Sequence, residues 1–176
     1  MARATITPTG VEQYFGEDEI IVSKTDTKGR ITYANDIFLQ IAGYTEAEVI
    51  GQPHSMIRHP DMPRAVFKLL WETVESGQEL FAYVKNMCKN GDHYWVYAHV
   101  TPTFDNQGRI VGFHSSRRVP ERRGVEKMQV IYRALREEER RFSDDRKGLE
   151  ASYQLLLKTL EGTGFSYSEF IWSAAA

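Results

Sequence analysis

Three prolines, Pro53, Pro60 and Pro63, bracket an arginine, two histidines and an aspartate in the segment Pro53-His54-Ser55-Met56-Ile57-Arg58-His59-Pro60-Asp61-Met62-Pro63. Proline fixes φ and removes a backbone donor, so this stretch is stiff and is no ordinary helix interior. Apolar runs lie on both sides of it, so the chain must fold with this loop held against a shared core. A stiff loop carrying a cation, imidazoles and a carboxylate has the chemistry of a ligand clamp. The plainer reading is a salt-bridged loop that orders the next helix, with Asp61 near a helix N-terminus, where a carboxylate is favoured.

The flanking patterns alternate between strand and helix. Glu19–Thr25 is short and β-branched and reads as a strand. A turn at Asp26-Thr27-Lys28-Gly29 leads to a return strand, Arg30–Tyr33. Asn35 or Asp36 can cap a short helix through Phe38 and Ile41 that ends at Gly43. Thr45 with Glu48 resembles a capping box for a second one. After the clamp, Arg64–Ser76 carries Val66, Phe67, Leu70, Trp71 and Val74 on one stripe, the signature of an amphipathic helix. Leu80–Cys88 and His93–Pro102 are strands joined by Lys89-Asn90-Gly91-Asp92, a strong hairpin signal. A last turn, Asp105-Asn106-Gln107-Gly108, leads into Arg109–Ser115. Strands separated by a block of helices predict an α+β fold: a five-stranded antiparallel sheet covered on one face by short helices and one long helix. A pocket is expected between the sheet and the helices.

The rest is divided by a change of character. Residues 1–18 form an N-terminal cap segment in which Val11, Tyr14 and Phe15 can make one apolar helical face. Residues 19–118 form the core domain. Residues 119–176 form a helical extension, entered through a hinge at Pro120-Glu121-Arg122-Arg123-Gly124. Met128, Ile131, Tyr132 and Leu135, then Leu149, Tyr153, Leu156, Leu157 and Leu160, give two amphipathic helices. Their leucine face is expected to meet a partner helix. The aromatic tail (Phe165, Tyr167, Phe170, Trp172) is expected to dock.

Composition narrows the function. A net charge of −2 gives no global pull toward nucleic acid or anionic membrane. No apolar run is long enough to span a bilayer, and Met1–Thr5 lacks a secretory apolar region, so a cytoplasmic protein without membrane insertion is expected. The single cysteine, Cys88, forms no internal disulfide and reads as a structural thiol. His54 and His59 are five apart across prolines, which predicts no metal site. No nucleophile elbow, P-loop or kinase motif is present, so no enzyme is expected.

Six segments now fall in order: Tyr33-Ala34-Asn35-Asp36, Gly43-Tyr44-Thr45, Gly51-Gln52-Pro53-His54, Arg58-His59-Pro60-Asp61-Met62-Pro63, Val84-Lys85-Asn86 and Lys89-Asn90-Gly91-Asp92-His93-Tyr94-Trp95-Val96. Together they resemble the PAS domains of aerotaxis receptors over residues 19–118. That resemblance implies a redox sensor holding FAD non-covalently, with Asn35, Arg58, His59 and Asp61 on positions linked to the flavin. Phe67, Trp71, Tyr83, Asn86 and Trp95, with Phe38, are the expected remainder of the site, and Arg58 can offer a bidentate fork to a pyrophosphate. The implied output is a chemoreceptor or histidine-kinase partner in trans, and amphipathic flanks on both sides suggest a homodimer.

One position departs from the pattern. Flavin-binding members carry Trp where this chain has Leu80, followed by Phe81. Phe81 replaces that aromatic only after a one-residue slip, which sends a strand side chain to the opposite face. Two alternatives therefore stand beside FAD. One is a haem gas sensor with His59 as axial ligand, and His54 or His99 behind it. The other is a ligand-free interaction adaptor.

Overall fold

The computed structural model describes residues 6–174. Met1–Thr5 lies outside the described residues. The order of elements is β1 (Ile21–Thr25), β2 (Ile31–Ala34), α1 (Asp36–Ala42), α2 (Glu46–Val49), a 3-10 turn (His54–Ile57), α3 (Arg64–Glu75), β3 (Leu80–Met87), β4 (His93–Phe104), β5 (Ile110–Arg118), α4 (Arg122–Arg140), α5 (Asp145–Thr163) and α6 (Tyr167–Ser173). The five strands form one antiparallel sheet in the order β2-β1-β5-β4-β3, so β5 is central.

Local chemistry sets most of these boundaries. Asn35 caps α1 by accepting from the Phe38 amide, and Gly43 ends that helix in the left-handed region at φ 74°. The Thr45–Glu48 capping box is present at α2. Between β3 and β4 the chain turns at Gly91, with φ 96°. A Cβ there would overlap the Thr7 carbonyl, so glycine serves both the turn and the close approach of the N-terminal arm.

The arm itself is extended, not helical. Thr9 donates its amide to the Gly91 carbonyl, His93 donates to Val11, and Gln13 donates to His93. Asp92 accepts from the Thr9 hydroxyl and the Gln13 amide at 2.5 and 2.7 Å. The proposed apolar face of Val11, Tyr14 and Phe15 does not form: Val11 and Tyr14 are exposed. Five residues between Gly10 and Gly16 are too few to nucleate a helix, and the rim of β4 offers their backbone groups partners instead.

The sheet is covered on both faces. Val84, Asn86, Val96, Ala98, Val100, Phe113, Ser115 and Arg117 alternate onto the inner face, toward α1–α3. Phe81, Tyr83, Lys85, Trp95, Tyr97 and His99 alternate onto the outer face, which α4–α6 cover. Val125, Met128, Leu135, Leu156 and Ile171 are essentially fully buried there, each contributing about 1.5–3 kcal/mol of apolar burial. The leucine face expected to meet a partner helix is therefore spent within the chain. A homodimer would have to use other surfaces.

The expected hinge is anchored at both ends, with Pro120 and Gly124 buried and Glu121–Arg123 exposed. α4 begins at Arg122, and Gly124 lies so close to the Tyr83 ring that any Cβ would overlap it. The Tyr132 hydroxyl donates to the Tyr83 carbonyl at 2.7 Å, pinning α4 to β3. The aromatic tail docks as α6, with Ile171 buried and Trp172 edge-on to Phe81 at 6.1 Å.

Candidate functional site

A cavity of about 320 Å³ lies between the inner face and the helical layer. It is at the lower end of the range, about 300–1,000 Å³, typical of small-molecule sites. Its apolar lining comes from Phe67, Leu70 and Trp71 of α3, and from Val84, Ala98 and Phe113 of the sheet. Its polar lining is Arg58 and Asn86 at one end and Ser23, His54 and Arg117 at the other.

The clamp loop reaches the cavity because Arg58 forms an isolated backbone bridge with Asn86, adding the loop to the edge strand β3. The Arg58 guanidinium lies 3.6 Å from the centroid of the Phe67 ring, a cation–π contact that orients it. Across the cavity, Arg117 Nη2 donates to Ser23 Oγ at 2.7 Å and lies 2.6 Å from His54 Nε2. Burial, then the nearby Arg117 and Arg58, push the His54 imidazole down to about 3, so it is neutral and Nε2 is free to accept. Burial also pushes Arg117 down to about 10, which leaves it charged at neutral pH.

The cavity as a whole is electropositive and short of acceptors. Lys28, Arg58 and Arg117 line it, and among the described residues its lining includes no carboxylate. Arg58 Nε, Asn86 Nδ2, Arg117 Nη1 and Thr25 Oγ1 are buried without a hydrogen-bond partner. Orphaned buried donors each cost about 1–3 kcal/mol, and guanidinium and amide N–H groups can be satisfied only by an acceptor. Three such donors and the Thr25 hydroxyl around one cavity fit an acceptor-rich or anionic ring system.

Of the residues picked out from the sequence, Arg58, Phe67, Trp71 and Asn86 line this cavity together. The others do not. Asn35 is committed to the backbone: Oδ1 accepts from Val22 and Phe38, and Nδ2 donates to Ile20. His59 lies behind the loop, its Nδ1 accepting from the Asp61 amide and its ring edge-on to His93 at 5.6 Å. Burial and the nearby Lys85 push His59 down to about 4, so the 3.5 Å approach of Asp61 is not an ion pair at neutral pH. Asp61 points outward and pairs with Lys85 at 2.7 Å. Tyr83 and Trp95 are on the outer face, against α4, because they have the opposite parity to Val84 and Val96.

Leu80 faces inward and is buried, whereas Phe81 faces outward, stacked on His99 at 4.1 Å. The β3–β4 ladder runs without a shift, so Phe81 does not stand in for the missing Trp. The residues that sequence reasoning missed are Arg117 and Ser23. Arg117 was legible in principle: in β5 the alternation Phe113, Ser115, Arg117 sets an arginine at a position where the core wants an apolar side chain.

A family model described as the PAS fold matches residues 31–117, a span that contains α1–α3, the strands after β1 except Arg118, and the cavity lining except Ser23, Thr25, Lys28 and Gly29. This part of the chain is a PAS domain. The PAS-containing region is 44% identical to the aerotaxis receptor of Escherichia coli over 68% of this chain and 23% of the receptor. It is 29% identical to a nitrogen fixation regulatory protein of Klebsiella pneumoniae over 52% of this chain and 18% of that protein. The chain thus spans less than a quarter of either relative. Among solved structures, a light-oxygen-voltage domain characterised with a flavin analogue matches with a TM-score of 0.55 at 20% identity, covering 63% of this chain and 84% of that one. That likeness concerns the fold. Among the described residues, no helix is long and apolar enough to cross a membrane.

Proposed function

We propose that the PAS cavity holds a flavin, FAD as in the aerotaxis-receptor pattern, and that the protein is a cytoplasmic redox sensor rather than an enzyme. The observation that carries this reading is the set of four unpartnered polar groups around an apolar slot without a carboxylate. Arg58 and Arg117 would hold acceptor atoms at the two ends, Asn86 would donate between them, and Phe67 and Trp71 would wall the ring and exclude water. A bound flavin supplies reversible electron transfer, with changes of charge and protonation at its ring nitrogens. The cavity has room for a ring system, not a whole dinucleotide, so the remainder would lie toward its mouth beside Lys28.

Two short routes, one along the chain and one through hydrogen bonds, would carry the change outward. Arg117 sits at the end of β5, five residues before α4 begins. On the other side, Glu139 of α4 is buried and accepts from the backbone amides of Arg64 and Ala65 at 2.6 and 3.3 Å, capping α3 directly after the clamp. It also binds Arg64 Nε at 3.3 Å and Arg136 Nη1 at 2.7 Å. A shift of the Arg58–Pro63 loop would therefore be felt by α4, and through it by a chemoreceptor or histidine-kinase partner.

Haem is favoured less by these contacts, because His59 does not line the cavity and His54 Nε2 is engaged by Arg117. The test is the visible spectrum of the freshly purified protein, with the released cofactor then identified by chromatography. Flavin bands that disappear in Arg58→Ala or Arg117→Met support the proposal. A colourless protein that takes up no FAD overturns it in favour of an adaptor, and a Soret band overturns it in favour of haem.

A further inference from the structure

A second cavity, of about 420 Å³, lies on the other side of the sheet, in the seam between β3, β4 and α4. Trp95 and Lys85 reach it from the strands, Asp61 and Met62 from the clamp loop, and Arg133, Arg136 and Arg140 from α4. The three arginines are spaced three and four apart, so they share one helix face. The lining contains four cations, counting Lys85, against the carboxylates of Asp61 and Glu137. Asp61 is already taken by Lys85.

Two buried donors in this seam have no partner: Trp95 Nε1 and Arg136 Nε. Trp95 is 4% exposed and stacks on Tyr132 with ring centroids 6.3 Å apart, so its indole is fixed. Indole and guanidinium N–H groups donate only. A water satisfies either of them but adds no charge against the cations, whereas an oxyanion does both. Guanidinium forks match phosphate in shape as well as charge.

We propose that this seam is a second ligand site, taking a small phosphate-bearing molecule against Trp95 Nε1 and the Arg133, Arg136 and Arg140 guanidiniums. The site is independent of what fills the inner cavity. It has a built-in consequence: Arg136 is also a partner of Glu139, the carboxylate that caps α3. An anion that draws Arg136 into the seam weakens its hold on Glu139, so occupancy here adjusts how tightly α4 is latched to the clamp.

The experiment is a titration of the full chain, labelled with ¹⁵N, with pyrophosphate at constant ionic strength balanced by chloride. The Trp95 indole resonance is assigned by its loss in Trp95→Phe. The expected result is a saturable shift of the Trp95 indole while those of Trp71 and Trp172 stay in place. Arg133→Gln and Arg140→Gln, both at exposed positions, should each weaken binding by about tenfold, the worth of one charge-assisted hydrogen bond. The proposal is overturned if the Trp95 indole does not move, if chloride alone moves it equally, or if both glutamine variants bind as the unaltered protein does. A shift at Trp71 instead would assign pyrophosphate to the inner cavity and overturn it as well.

Discussion

The two faces of the sheet are made from the same strands and alternate residues, yet they solve different problems. Away from the seam beside Lys85 and Arg136, the outer face is packed with aromatic and aliphatic contacts: Phe81 on His99, Trp95 on Tyr132, Gly124 against Tyr83, and Met128, Leu135 and Leu156 buried. The inner face keeps a cavity, buries Arg117 without a carboxylate, and leaves donors unpaired around an apolar slot. A face optimised only for stability would pack like the outer one, since unpaired buried donors cost free energy that well-packed apolar groups do not. The inner face thus gives up stability around its cavity, which is what the proposed ligand site requires. On the outer side the unpaired donors Trp95 Nε1 and Arg136 Nε meet in one seam.

The largest expected effect tests what joins the two faces. Glu139→Ala removes the carboxylate that caps α3 and holds Arg64 and Arg136. The expected loss is about 3 kcal/mol, at the low end for breaking a buried pair because Arg64 and Arg136 can turn to solvent. Urea denaturation measures it, and a loss under about 0.5 kcal/mol would mean that the latch carries no energy.

Next comes the packing of the outer face. Gly124→Val forces a side chain into the Tyr83 ring and should cost about 1–3 kcal/mol by overpacking. Tyr83→Leu in the same chain should recover part of that loss. If the pair is simply additive in thermal denaturation, Gly124 is not a contact glycine.

Acid should act mainly from the inner face. His54 is held neutral, with its folded pKa near 3 against 6.5 when free, so the unfolded chain binds more protons at mildly acid pH. Its contribution is complete above pH 6.5 and is lost as pH falls toward about 3. Each pH unit in that window costs about 1.4 kcal/mol for a single group. His54→Gln should flatten the dependence of melting temperature on pH between neutrality and about pH 5. An unchanged slope would place the acid sensitivity elsewhere, His59 being the next candidate.

The smallest expected effect is the sharpest comparison. Trp95→Phe and Tyr83→Phe change outer-face side chains and should leave flavin occupancy unchanged, whereas Phe67→Ala and Asn86→Ala should lower it. Cofactor-to-protein absorbance ratios decide this. Loss of flavin in the outer-face variants would show that parity does not separate the two sites.

The α+β architecture follows from local signals, because hydrophobic period, capping residues and the Asn90-Gly91 turn were not overridden by tertiary context. The sequence also located the loop that brings Arg58 to the cavity, since prolines hold that residue outside a helix whatever surrounds it. What it could not give was which side of each strand faces which layer. Tyr83 and Trp95 are as aromatic as Phe67 and Trp71, and only the register of β3 on β4, with a second layer of helices on the far side, separates them. Nor could composition show that Pro120–Gly124 opens a helix packed on the sheet, since that depends on the space beside Tyr83. The pairing of Arg117 with His54 and Ser23 joins residues 63 and 94 positions apart. Such contacts arise from closure of the sheet, and the physical decision is tertiary: a side chain's polarity is local, but whether it is buried, and beside what, belongs to the whole fold.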